Sequence, residues 1–169
     1  MTATRRAARS LQDHAALWRM AEIDATDVVD AACEALVAGL DSPGLRILAG
    51  LTRAEAYYEV ADLLPAVLEE LGLVFPPLGS VTGQEASARA AARRLLAGEL
   101  TPRAFTRHIY GCYGYELPLT RRLAELDDEY DEYDEYDLLD HAPETGRGKA
   151  ELDAEVTAEA HRLVTDLRL

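Results

Sequence analysis

The chain has 169 residues but only two cysteines (Cys33 and Cys112), one tryptophan (Trp18) and one lysine (Lys149). Two cysteines so far apart build neither a disulfide framework nor a zinc site. Aromatic residues make up 7%, and eight of them are tyrosines, so the core must be assembled from Leu, Val, Ile and Ala. No apolar run approaches the roughly 18–20 residues that cross a bilayer. Arg5, Arg6 and Arg9 stand near the N-terminus with no apolar stretch behind them. That is not the pattern of a secretory signal, and a cytoplasmic protein with no membrane partner is expected. Glycine-rich phosphate loops, the Gly-x-Ser-x-Gly elbow and the His-Glu-x-x-His and Glu-x-x-His helix motifs are all missing. The four histidines (His14, His108, His141, His161) are scattered. No cofactor and no metal are expected. Arginine in place of lysine, together with heavy alanine usage, points to a GC-rich bacterial genome.

What is present reads as helix. Hydrophobic residues make up 49% and charged residues 28%, a globular composition. Apolar residues recur at steps of three and four. Leu11, Ala15, Trp18 and Ala21 form one stripe behind Ser10 as a candidate N-cap. Val28, Val29, Ala32, Cys33, Leu36, Val37 and Leu40 form the next, behind Thr26. Asp41-Ser42-Pro43-Gly44 breaks the chain, with Pro43 suited to a first helical turn. Thr52-Arg53-Ala54-Glu55 and Thr82-Gly83-Gln84-Glu85 have the form of capping boxes. Pro65 falls inside the helical pattern that follows the first box and is expected to kink or split it. Gly72 fits a left-handed C-terminal cap. Thr101-Pro102 opens another helix, Gly111 and Gly114 are expected to end it, and Pro118 opens the next. No segment alternates like a strand. The expectation is an all-α, irregular bundle of seven to nine helices. It comprises a short basic tail over 1–10, a helical domain over 11–140, a polar linker over 141–149 and an amphipathic helix over 150–169, the last offering a face for homo-oligomerisation.

The net charge of −14 is unevenly placed. Residues 125–140 hold ten of the 31 acids and no base, while the other 21 acids nearly balance the 17 Lys and Arg. This sign disfavours direct nucleic-acid binding and favours a basic protein surface or a cation as partner. Within the segment runs a triplet repeat: Asp128-Glu129-Tyr130, Asp131-Glu132-Tyr133, Asp134-Glu135-Tyr136. Three helical residues turn about 300°, so the tyrosines drift around the surface. Tyr130 and Tyr133 continue the stripe of Leu119, Leu123 and Leu126, and acids fill the other faces. These nine residues are the candidate partner-binding site, with the acids pairing to Arg and the tyrosines as anchors. A solvated helix face is the competing reading. Calcium is not favoured, because an EF-hand loop needs alternate acids and a central Gly. The charge and size match those of immunity proteins that neutralise basic toxins; the likeness extends no further.

The alternative is a small-molecule or enzyme pocket near the Gly111–Gly114 turn. There Arg107, His108, Tyr110, Cys112, Tyr113 and Tyr115 cluster, with Arg103 nearby, and His108 would activate the Cys112 thiol. An inter-helix turn with tyrosines capping the core explains the same residues.

Overall fold

A computed structural model describes residues 2–138 and 148–165, the side chains of 136–138 excepted. Among the described residues there are eight α-helices and no strand: α1 (Ala3–Arg19), α2 (Ala25–Val37), α3 (Pro43–Ala49), α4 (Arg53–Glu70), α5 (Val81–Leu96), α6 (Pro102–Tyr113), α7 (Arg121–Leu138) and α8 (Lys149–Thr165). A 3-10 turn, Pro118–Thr120, leads into α7. None of these helices is long and apolar enough to cross a membrane. The chain divides into two compact units, residues 1–90 and 91–169, with the division inside α5.

In the first unit α1 to α4 close around one core. Leu11, Ala15, Val28, Ala32, Leu45, Leu48, Val60, Leu64 and Leu68 are all fully buried there. Each such large apolar side chain contributes about 1.5–3 kcal/mol of transfer free energy. The N-terminal residues expected as a tail are helix. Thr2 caps α1, its Oγ1 accepting from the Arg5 N–H at 3.3 Å, so residues 3–10 are its first turns. Leu11, Ala15 and Trp18 keep their shared face, but Ala21 leaves it. It stands past the helix end at φ 59, where its N–H donates to Trp18 O and that of Glu22 to Leu17 O. This is a Schellman cap without the usual glycine. Asp24, not Thr26, caps α2, and its N–H donates to the Asp27 carboxylate at 2.9 Å.

Two of the expected caps, the Thr52–Glu55 box and Gly72, form as read, and Ser42 adds one at the break before Pro43. Ser42 Oγ accepts from Leu45 N at 3.1 Å, with Pro43 in the first turn. Thr52 and Glu55 complete their box, Thr52 N–H donating to Glu55 Oε2 at 2.8 Å. Gly72 is left-handed at φ 66. The second box does not form: α5 begins at Val81 and Ser80 Oγ accepts from Gly83 N at 3.0 Å. Pro65 does not split α4, which is continuous from Arg53 to Glu70. The proline lies on the exposed face, where water can serve the Ala61 carbonyl that lost its donor.

In the second unit α7 packs between α6 and α8. Phe105, Ile109, Leu117, Leu123, Leu126, Leu152, Val156 and Leu163 form its buried apolar set. The stripe of α8 is thus occupied within its own unit; self-association through that helix would have to expose it. Most of the expected linker over 141–149 and the final four residues lie outside the described residues.

Candidate functional site

Thr101 caps α6, its Oγ1 accepting from Ala104 N at 3.2 Å, and this sets Arg103 in the first turn, pointing at α7. Asp127, Asp131 and Asp134 stand at i, i+4 and i+7 along α7, which aligns them on one face. Arg103 engages all three. Nη1 donates to Asp127 Oδ1 at 2.5 Å, Nη2 donates to Asp131 Oδ1, and Nε lies 3.4 Å from Asp134 Oδ2. The Asp127 side chain is 5% exposed, and Thr106 Oγ1 donates to the same Oδ1 at 2.9 Å. Burial raises the Asp127 pKa above its usual value, against the opposing pull of the Thr106 hydrogen bond and the Arg103 charge.

Arg122 makes a second clamp on the other side of the helix. Its Nη1 is 3.0 Å from both Glu125 and Glu129, and its Nε and Nη2 donate to Glu155 Oε1 of α8 at 2.8 and 2.6 Å. Asp128 accepts from the Tyr115 hydroxyl. That bond to a carboxylate, foremost, pushes the Tyr115 pKa up to about 12.

The three repeat tyrosines have different fates. Tyr130 is fully buried; its ring lies under the Arg103 guanidinium, 5.2 Å from the centroid, and its hydroxyl donates to Asp153 of α8. Burial and that bond push its pKa upward. It is a core residue and presents no ring to a partner, which corrects its expected role as an anchor. The apolar stripe through Leu119, Leu123 and Leu126 is the signal that wins over the repeat. Tyr133 is half-buried, and the Tyr136 side chain lies outside the described residues. Glu132 and Glu135 are exposed and make no ion pair among the described residues.

The alternative cluster separates. Gly111 lies within α6 rather than at its end; Gly114, at φ 51, is the cap. Tyr113 turns into the core, while Arg107, Tyr110 and Cys112 face solvent. His108 and Cys112, one helical turn apart, come together with Sγ 3.9 Å from Nε2 and 4.0 Å from Nδ1. Tyr110 and Tyr115 meet edge to face at 5.8 Å. The six residues form two pairs plus an inward tyrosine and an outward arginine.

Sequence reasoning missed the roles of Arg103, Arg122, Asp153 and Glu155. Arg122 at three and seven residues before Glu125 and Glu129 was a legible local signal. The other pairings cross between helices and had none. No protein-family model matches the chain, and no curated protein and no solved structure gives a significant match to it.

Proposed function

We propose that the protein is an interaction protein whose α7 docks on a basic protein surface. The observation that carries the reading is the charge left over on that helix. Residues 125–135 hold eight acids; among the described residues Arg103 and Arg122 pair with them, and the Arg107 charge also acts on Asp127. The acids outnumber the arginines beside them, which leaves a negative field, with Glu132 and Glu135 exposed on it. Such a field accelerates encounter with a cationic surface and fades as salt screens it. The contact set this supports is Asp128, Asp131, Glu132, Asp134 and Glu135, with Tyr133 at its margin.

The test is capture of a partner at low and high salt, followed by affinity measurements with Glu132→Gln/Glu135→Gln. A basic partner whose association slows with salt and with this double variant is the expected result. A native partner that binds the double variant as fast and as tightly would remove α7 from the interface.

The His108–Cys112 approach favours a second reading, a thiol site on α6. Titration of Cys112 reactivity against pH tests it: a thiol that reacts no faster than Cys33 would withdraw the nucleophile.

A further inference from the structure

The first unit carries its own unexplained surface, on α4. One side of this helix holds Ala56, Val60, Leu64, Val67 and Leu68, all in the core. The other side is exposed along its whole length and is not an ordinary solvated face. Tyr57 and Tyr58 stand 78% and 73% exposed, stacked edge to face with centroids 4.9 Å apart. Tyrosines are among the side chains that protein interfaces favour. Tyr58, Asp62, Pro65 and Glu69 follow at four, three and four residues, so they share one strip. Pro65 has no N–H to give the Ala61 carbonyl, which puts a backbone acceptor without its helical donor on the same side. The helix carries five acids against one base, Arg53. Glu55 and Glu70 are committed to backbone N–H groups of Thr52 and Gly44. Glu59, Asp62 and Glu69 make no ion pair among the described residues.

We infer that the outer face of α4 is a docking surface for an arginine-bearing segment of a protein partner. The face offers three features complementary to a guanidinium: carboxylates to pair with, tyrosine faces to stack on, and a carbonyl to accept a donor. A second copy of the chain is the poorer occupant, because two such faces would oppose like charges. The surface belongs to residues 1–90 and stands whether or not α7 binds anything.

The experiment uses the full chain and a short synthetic peptide of alternating arginine and alanine, with the lysine analogue as control, followed by backbone amide shifts at low salt. The expected result is a set of shifts on Tyr57, Tyr58, Ala61 and Asp62, stronger with arginine than with lysine. Tyr58→Ala should weaken that binding about two- to fivefold, the worth of an exposed cation–π contact. Asp62→Asn/Glu69→Gln should weaken it comparably, and Glu132→Gln/Glu135→Gln should leave the α4 shifts as they are. These side chains are exposed, so the variants keep the fold. Shifts confined to α7 would overturn the inference while sparing the α7 reading. So would α4 shifts indifferent to Tyr58→Ala, or Tyr58-dependent dimerisation of the free chain, which would assign the face to a second copy.

Discussion

Replacing Arg103 by alanine should destabilise the second unit far more than loss of an ordinary surface charge. The side chain is 18% exposed and holds Asp127, whose own side chain is almost fully buried. Removing one member of a buried pair leaves the other charge desolvated and costs about 3–5 kcal/mol. Thr106 remains as a partner to Asp127, which argues for the low end. Asp131 and Asp134 are more than half exposed and add little, since solvent screens them. An expected loss of about 3 kcal/mol lowers the midpoint of a chain this size by roughly 6–12 °C. Urea denaturation followed by circular dichroism measures it directly. The pH dependence supplies a second check. The folded pKa of Asp127 is raised, so the native state binds its proton more readily than the unfolded chain. Its contribution is therefore fully present below the unfolded pKa and is lost as pH rises through the folded value, opposite to an ordinary paired aspartate. Without Arg103 the raised value climbs further, and the variant should recover stability relative to the parent on mild acidification. A loss under about 1 kcal/mol, with no such recovery, would mean that Arg103 is only a surface ion pair.

Tyr130→Phe keeps the buried ring and removes the hydroxyl that donates to Asp153, and should cost about 1 kcal/mol in the same urea assay; Tyr130→Ala should cost about 3–5 kcal/mol. Spectrophotometric titration into alkali should show a late phenol near pH 12 that disappears in Tyr115→Phe. Because the folded pKa is raised, the stability linked to Tyr115 is intact below about pH 10 and is lost as pH rises towards 12. Ala21→Gly should stabilise the protein by about 1 kcal/mol, read from the urea midpoint, since glycine adopts the left-handed cap at φ 59 without strain.

The local signals in the sequence translated well. Thr52 with Glu55 and the left-handed Gly72 form the caps that were read, and Pro43 and Pro102 stand in first helical turns as read, all decided within a few residues. The start of α1 was not legible, because Ala3 to Ser10 carries no apolar stripe and its cap, Thr2, precedes a run of arginines. Gly111 misled because a helix tolerates one glycine at modest cost where its neighbours pack. In the candidate site the acidic run was plain, but its partners were not. Arg103 reaches Asp127 across 24 residues of chain, and no periodicity announces that meeting. The charge run therefore read as wholly available, whereas Asp127 and Tyr130 belong to the interior of the unit.

The identity of the three Asp-Glu-Tyr copies has a genetic consequence. Where the codons repeat as the residues do, such tandem triplets gain and lose copies when replication slips. Deletion of any one copy brings the next into the same register, so the positions after Asp127 still read Asp-Glu-Tyr-Asp-Glu-Tyr-Asp. Tyrosine again falls where Tyr130 does, and aspartates fall where Asp131 and Asp134 meet Arg103. A contraction thus trims the far end of α7 and its surplus charge while the buried clamp refills itself. Copy number then sets the length of the acidic surface while the residues that meet Arg103 stay the same.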